Sequence, residues 1–315
     1  MEGWRHTRPG KRTEMTRYDI VFIGHITIDE IDAVEGSAHA VTGGAPFYGA
    51  FAAAWSNKKI AVITRMTEDD RHRLEPLQAA GIDVYLQPAH ETTHMRVVHP
   101  SANIDERQMY QTKNAGFFTM KEMPPIEPCL IEVGALTNQE FTLEFVRELR
   151  KSGFRVALDM QSFVRQVDTE TGAIQFRDVP VKREIVKITD LVKLDVVEAG
   201  ILTGTDDLEE ASKIVEDWGS HEIVITRSDV VLARYEGKTC FERYSNRTSQ
   251  GRTGRGDTTF GAYLARRLDH SVEESLKFAA ALASIKMETP GPFRGTLEDV
   301  LKRMRLAEAQ NCQDP

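Results

Sequence analysis

The chain has 315 residues, of which 41% are hydrophobic and 28% charged, enough for one large α/β domain or two smaller ones. A formal net charge of -8 argues against a nucleic-acid-binding protein, which normally carries a basic face, but it allows a local cationic pocket. No apolar run has the length of a membrane span, and Cys129, Cys240 and Cys312 have neither disulfide nor zinc-ligand spacing. We therefore expect a cytoplasmic protein with no nucleic-acid or membrane partner.

The N-terminal residues 1–17 contain five basic side chains and no apolar segment, unlike a signal peptide. We expect them to form a mobile extension. No internal repeat divides the rest, so we predict one domain over residues 18–308, with a tail over residues 309–315.

From residue 18, short β-branched segments alternate with apolar-periodic ones. Strands are predicted at residues 18–24 and 59–64, and helices at residues 45–55 and 71–80. This β–α–β–α order predicts a mainly parallel central sheet with helices on both faces.

The alternation is interrupted between residues 83 and 113, where three short strands are predicted at residues 83–86, 93–99 and 108–112. Together with residues 30–42, we interpret them as a small β lid outside the main sheet.

The α/β alternation then resumes. Strands are predicted at residues 129–134, 155–159, 190–194, 222–226, 230–235 and 239–244, of which the last three suggest a meander at a sheet edge. Helices are predicted at residues 139–151, 207–218 with Asp206 as cap, 258–268, 272–287, and 297–307 with Thr296 as cap.

The segment Gly251–Leu264, G-R-T-G-R-G-D-T-T-F-G-A-Y-L, is a glycine-spaced turn that leads into a helical pattern. Unpaired N–H groups and the positive end of the helix dipole make such a turn an anion site. Asp257 at its mouth can take a proton from a hydroxyl that attacks a bound phosphoryl group. A plain turn with an Asp cap gives the same pattern, so this stretch alone leaves both interpretations open.

Two features earlier in the chain are also candidates for ligand binding. Asp29 is predicted to lie in a polar loop after the strand that ends at Gly24. Ligands bind at the carboxyl ends of parallel strands, where a carboxylate can accept hydrogen bonds from a polyol. At Gly43-Gly44 the missing Cβ atoms let the backbone approach a ligand closely. An ordinary turn is the alternative interpretation of each feature.

In this order, the three features resemble the ribokinase-like (PfkB) sugar-kinase family over residues 18 to about 305. The resemblance implies a ribokinase-like fold with Asp257 as catalytic base. It also implies that the backbone of Gly254, Arg255 and Gly256 forms an anion hole for the transferred phosphoryl group, and that Asp29, Gly43 and Gly44 hold the acceptor.

A second group of residues extends the resemblance. Lys193-Leu194-Asp195-x-x-Glu198 looks like the family's N-x-x-E element, which implies that Asp195 and Glu198 help to hold Mg²⁺ through water. Residues 223–226 look like the strand that leads to the nucleotide loop. The implied nucleotide-binding residues are Lys193, Thr226, Arg227 and Ser228.

Several positions depart from the family pattern. Gly251 replaces the first Asp of the signature, Arg255 replaces its central Ala, and Ser228 and Val231 stand where glycines are usual. Arg255 either brings a cation to the transferring charge or points to solvent. These departures leave the phosphate donor open.

Residues 159–165, D-M-Q-S-F-V-R, look like the D-x-Q-x-F-x-R element of archaeal myo-inositol kinases within this family. The short segment between Asp29 and Gly43 also resembles that subgroup. The resemblance implies that Gln161 and Arg165 face the acceptor or the phosphates, whereas a solvated loop or a local salt bridge is the structural alternative.

The sequence thus predicts an ATP- and Mg²⁺-dependent kinase that phosphorylates a hydroxyl of a small sugar, polyol or cyclitol such as myo-inositol. Two alternatives remain: a nucleoside kinase of the same fold, and a non-catalytic relative that binds a nucleotide or metabolite. The predicted partners are the small-molecule acceptor and the nucleotide; the sequence does not fix the oligomeric state, for which a homodimer is one option.

Overall fold

A computed structural model of the chain describes residues 15–32, 39–98 and 108–311. Most of the predicted N-terminal extension, parts of the predicted lid and most of the predicted tail lie outside these residues. The described residues form fifteen strands: β1 (Ile20–Ile23), β2 (Thr27–Asp32), β3 (His39–Gly43), β4 (Ile60–Met66), β5 (Asp83–Pro88), β6 (His94–Val98), β7 (Gln108–Lys113), β8 (Leu130–Val133), β9 (Arg155–Asp159), β10 (Arg165–Val167), β11 (Ile174–Phe176), β12 (Leu191–Asp195), β13 (Glu222–Thr226), β14 (Val230–Tyr235) and β15 (Lys238–Arg243).

The same part of the chain forms ten α-helices and three short 3₁₀ segments. The helices are α1 (Ala45–Ala53), α2 (Glu75–Ala79), α3 (Leu143–Lys151), α4 (Gln161–Val164), α5 (Lys182–Ile188), α6 (Val196–Thr203), α7 (Leu208–Asp217), α8 (Arg255–Arg267), α9 (Val272–Met287) and α10 (Leu297–Asn311). The 3₁₀ segments are Ala54–Ser56, Glu68–Leu74 and Met120–Glu122. None of the helices in these ranges combines the length and apolarity needed to cross a bilayer.

The central sheet has nine strands in the order β15-β14-β13-β12-β9-β8-β1-β4-β5. Strands β13 to β5 pair in parallel, and β14 and β15 add an antiparallel meander at one edge, as predicted. Alternate side chains of β1 enter different cores, Ile20 and Phe22 on one face and Val21 and Ile23 on the other. Because both faces are covered, the strand is apolar at every position, as parallel sheets require.

The lid is a separate four-stranded sheet in the order β3-β2-β6-β7. The prediction of lid strands at residues 93–99 and 108–112 is confirmed, but the prediction for residues 83–86 is wrong, because β5 pairs with β4 at the edge of the central sheet. Its side chains Val84 and Leu86 pack against one core and Tyr85 against the other. A short strand's pattern shows that one face is covered but does not identify the sheet.

Smaller corrections concern caps and helix type. Helix α3 begins at Leu143 rather than at residue 139, because the Thr142 side chain accepts the Phe145 N–H at 3.1 Å. Asp207 rather than Asp206 caps α7, since its carboxylate accepts the Glu210 N–H at 2.8 Å. The helix predicted at residues 71–80 is a 3₁₀ segment followed by the short α2, and α10 continues past residue 308.

Candidate active site

A cavity of about 160 Å³ lies where the carboxyl ends of the central strands, the lid and the start of α8 meet. Strands of a parallel sheet end at one edge, so residues distant in sequence converge there. Most of the predicted site residues line this cavity: Asp29, Gly44, Gln161, Arg165, Lys193, Asp195, Thr226, Gly254, Arg255, Gly256 and Asp257.

The first turn of α8 forms one wall. Gly254 caps the helix in the left-handed region at φ 75°, and a Cβ atom there would lie 2.4 Å from the ring of Tyr48. A Cβ atom on Gly256 would lie 3.2 Å from Lys193 Nζ. Glycine at both positions therefore lets the turn pack directly on an aromatic ring and a cation.

Not every amide of this turn is available to a ligand. The Arg255 N–H donates to the Arg252 carbonyl at 3.1 Å, and the Thr258 N–H donates to the Gly254 carbonyl at 2.9 Å. The amides that the start of α8 can offer to an anion are therefore those of Gly254, Gly256 and Asp257.

Cationic side chains surround this turn. Buried Lys193 forms an ion pair with Asp159 at 2.7 Å; burial disfavours its charge, but the neighbouring carboxylates raise its pKa overall. Arg165 lies 3.0 Å from Glu198 and 3.5 Å from Asp195. These carboxylates fix both cations below the cavity and keep them charged.

Two donors that belong to lining residues are buried without a hydrogen-bond partner: Gln161 Nε2 and Arg255 Nε. The Arg255 guanidinium also lies 5.8 Å from the ring centre of Tyr244, so its side chain is packed rather than extended into solvent. Buried polar groups are nearly always paired in folded proteins. Unpaired donors beside an open cavity point to a ligand with acceptor oxygens.

The lid supplies the opposite wall. Asp29 lies within β2, not in a loop after the first strand as the sequence suggested, and accepts a hydrogen bond from Thr27 Oγ1 at 2.6 Å. A Cβ atom on Gly43 would lie 1.9 Å from an Asp29 carboxylate oxygen. Gly43 therefore makes room for Asp29 without itself lining the cavity, whereas Gly44 does line it.

The electrostatics of Asp29 are unusual for a carboxylate beside an open cavity. Burial raises its pKa to about 6, the Thr27 hydrogen bond opposes that rise, and nearby Asp257 adds to it. Beside Asp29 the wall is apolar, formed by Met95, Val97 and Met109. The lid thus presents one acidic group and one hydrophobic surface to the same ligand.

The structure does not bring every predicted residue to the cavity. Arg227 and Ser228 lie in the turn after β13, where Arg227 forms a bidentate ion pair with Asp229 at 2.6 and 2.9 Å. Glu198 is fully buried; one carboxylate oxygen pairs with Arg165 and the other accepts the Asp195 N–H at 2.8 Å. Glu198 therefore positions Arg165 and completes the capping box of α6, and it does not line the cavity.

The residues around the cavity can be compared with the prediction of a Mg²⁺ site. Within residues 15–32, 39–98 and 108–311, no group of three or more His, Cys, Asp or Glu side chains is placed to hold a metal ion by itself. Asp195 lines the cavity, so it fits an indirect role toward Mg²⁺ held mainly by phosphate oxygens. Glu198 lies behind Arg165, outside the cavity lining, so its predicted metal role stays a prediction.

Sequence reasoning missed several lining residues. Tyr48 lies on α1, which reads as an ordinary apolar helix, and the apolar lid side chains give only a strand pattern. Arg252 and Thr253 stand inside the glycine-rich segment and could have been included with it. Tyr48 and the apolar lid residues reach the cavity only because α1 and the lid pack near α8, and no local sequence pattern indicates such packing.

The comparisons with known proteins agree with this geometry. The sequence profile described as pfkB family carbohydrate kinase matches residues 17–298. A cytidine kinase from Thermococcus kodakarensis is 26% identical over 259 residues, which are 78% of this chain and 87% of that protein.

Solved structures give the same result. A pyrophosphate-dependent kinase of the ribokinase family, complexed with a pyrophosphate analogue and myo-inositol, superposes with a TM-score of 0.81 at 30% identity, over 90% of this chain and 99% of that one. Ribokinase from Arabidopsis thaliana, complexed with ribose and ATP, has a TM-score of 0.69 at 19% identity, over 92% and 99% of the two chains, and shares the fold. The predicted fold, kinase class and likeness to inositol kinases are confirmed, and the chain belongs to the pfkB family of carbohydrate kinases.

Proposed function

We propose that this kinase transfers a phosphoryl group to a hydroxyl of a cyclitol, with myo-inositol as the leading acceptor and inorganic pyrophosphate as the donor. The observation that carries the proposal is the pairing of Asp29 and Asp257 in one small cavity beside a cation-lined helix start. Asp29 on the lid wall and Asp257 on the α8 wall can bind hydroxyls, and the amides and cations beside Asp257 can bind phosphates.

The acceptor wall supports a compact polyol. A cyclitol presents hydroxyl groups around its rim and C–H groups on its faces. Asp29, Asp257 and Gln161 offer polar contacts for the rim, while Met95, Val97 and Met109 offer an apolar surface for a face. The cavity of about 160 Å³ is smaller than the roughly 300–1,000 Å³ usual for drug-sized ligands, which favours a small acceptor.

In the proposed reaction Asp257 accepts the proton of the attacking hydroxyl while that oxygen approaches the phosphorus in line with the leaving phosphate. The amides of Gly254 and Gly256 and the cation of Lys193 stabilise the charge on the transferring group. Mg²⁺, when bound, would neutralise part of the donor's charge, with Asp195 as its indirect ligand.

The donor side supports pyrophosphate over the ATP that the sequence suggested. Four cationic side chains line the cavity: Arg165, Lys193, Arg252 and Arg255. They suit a compact, highly charged anion. The predicted nucleotide residues Arg227 and Ser228 lie outside the cavity, and two solved structures of pyrophosphate-dependent kinase are 30% and 31% identical to this chain.

A nucleoside kinase is the second candidate, because the Thermococcus kodakarensis relative is a cytidine kinase. It requires a nucleoside, which is bulkier than a cyclitol, to fit the same acceptor wall. For either candidate we propose a cytoplasmic location, and a homodimer is one possible assembly, which size-exclusion chromatography with light scattering tests.

Substrate choice can be tested with a matrix of donors and acceptors. Pyrophosphate and ATP are each paired with myo-inositol, ribose, fructose 6-phosphate and cytidine, and product formation is measured. We expect pyrophosphate with myo-inositol to give the highest kcat/KM, at least about tenfold above any other pair. Preference for cytidine would overturn the acceptor, preference for ATP the donor, and no turnover with any pair the catalytic proposal itself.

Asp257→Asn tests the catalytic base. The amide keeps the size of the side chain but cannot accept the hydroxyl proton, so we expect kcat to fall about 10²- to 10⁴-fold. Binding of a non-hydrolysable pyrophosphate analogue, measured by calorimetry, should stay within about threefold of wild type. Turnover near the wild-type rate would remove Asp257 from this role.

Arg255→Gln tests whether the unpaired guanidinium binds the donor. A hydrogen bond to a charged group contributes about 1.5–3 kcal/mol, so the KM for the donor should rise about 10- to 100-fold. Arg227→Gln is the matched control, because Arg227 pairs with Asp229 outside the cavity and should leave that KM unchanged. Equal effects of the two substitutions would contradict the assignment.

Asp29→Asn tests the acceptor side. We expect this substitution to lower activity but to raise the free energy of unfolding. Because the pKa of Asp29 is raised to about 6, the folded protein holds a proton between about pH 4 and 6 that the unfolded chain has released, so the stability associated with Asp29 falls as the pH rises through that window. The variant should therefore gain about 1–3 kcal/mol in free energy of unfolding at pH 7, and less at pH 4.

Denaturant titrations at pH 4 and pH 7 measure this difference, with Glu30→Gln, an exposed carboxylate on the same strand, as the control. The kcat/KM for the acceptor should fall by at least about tenfold in Asp29→Asn, and in the wild type it should decline below about pH 6. A variant that is less stable at pH 7 and fully active would refute both parts.

A further inference from the structure

Lys286, near the end of α9, is almost fully buried, with 1% of its surface exposed. Its ammonium group donates hydrogen bonds to the carbonyl oxygens of Gly251 and Thr253 and lies 4.9 Å from the ring centre of Tyr48. These acceptors are neutral. A buried ammonium whose hydrogen-bond acceptors are all neutral is expensive, since these contacts supply no counter-charge for the lost hydration.

The pKa of this side chain is consistent with its surroundings. Burial lowers the pKa of Lys286 to about 8, with Asp257 opposing the shift and Arg255 adding to it. The group is therefore mostly protonated at neutral pH and can donate to both carbonyls. An apolar side chain could fill the same space without this cost, so the ammonium calls for a reason beyond packing.

Peptide geometry connects Lys286 to the anion site. The peptide unit between Thr253 and Gly254 is planar and trans, so its C=O and N–H bonds point in opposite directions. Because the Thr253 carbonyl points at Lys286, the Gly254 N–H points away from α9, and Gly254 lines the cavity. The same turn is tied to α9 a second time, because the Gly251 N–H donates to the Met287 carbonyl at 2.8 Å.

We propose that Lys286 is a positioning residue of the anion site: its ammonium fixes the Gly251 and Thr253 carbonyls, aims the Gly254 N–H at the transferring phosphoryl group and adds a positive charge behind it. This inference rests on the proposed phosphoryl transfer at the start of α8. It assigns to α9 an electrostatic role that its apolar, helical sequence does not reveal.

Lys286→Met removes the charge and both donors while keeping the length of the side chain. We expect kcat to fall about 10²- to 10³-fold, as for the loss of one preorganised oxyanion donor, and the KM for the acceptor to change less than about threefold. Binding of methylene diphosphonate, a non-hydrolysable pyrophosphate analogue, should weaken at least about tenfold. Met287→Leu, a similar-volume change at the adjacent buried position, is the control for repacking and should leave these values unchanged.

Lys286→Ala provides a readout that a purely structural role would not give. The truncation leaves space for a small cation beside the two carbonyls. Adding methylammonium chloride should therefore raise the kcat of Lys286→Ala at least about tenfold. Tetramethylammonium chloride has no N–H donor, so at the same ionic strength it should leave the kcat of Lys286→Ala unchanged.

Wild-type kcat and analogue affinity in a folded Lys286→Met protein would overturn the inference while leaving the proposed function in place. If Lys286→Met does not fold, equal effects of the two salts on Lys286→Ala would overturn it instead. A wild-type protein that neither turns over nor binds the analogue would overturn the proposed function and this inference together.

Discussion

The contact between the glycine turn at the start of α8 and the groups beneath it is the constraint on which the site depends. A Cβ atom at Gly254 would meet the Tyr48 ring at 2.4 Å, and one at Gly256 would meet Lys193 Nζ at 3.2 Å. Position 254 therefore requires glycine for the turn to lie against the aromatic ring, and glycine at position 256 leaves space for the buried cation. This packing brings backbone amides and a fixed positive charge to one point, which is what binding of a phosphoryl group requires.

Buried charge is arranged around that point in pairs. Asp159 holds Lys193, and Glu198 holds Arg165, each pair at about hydrogen-bond distance and largely buried. Such pairs give little net stability, because desolvation offsets most of their attraction. Their effect is to hold cations in place before the ligand arrives, so that little reorganisation accompanies the reaction. Asp29, by contrast, is destabilised where it lies, as expected for a binding group.

The sequence predicted what local pattern and chain order determine. The parallel sheet, the meander at its edge, the glycine turn and most lining residues follow from periodicity, glycine spacing and a family resemblance. It did not predict that β5 joins the central sheet, or that Glu198 forms a buried ion pair with Arg165. Both outcomes depend on contacts between distant segments. Lys286 escaped notice for the same reason: its carbonyl partners lie 33 and 35 residues away.

The most direct test of this account is a crystal structure with methylene diphosphonate and myo-inositol bound together. The account predicts a phosphonate group in contact with the amides of Gly254 and Gly256 and with Lys193, and an inositol hydroxyl between that group and the Asp257 carboxylate. A diphosphonate bound away from the start of α8, or an inositol whose hydroxyls contact neither Asp29 nor Asp257, would contradict it.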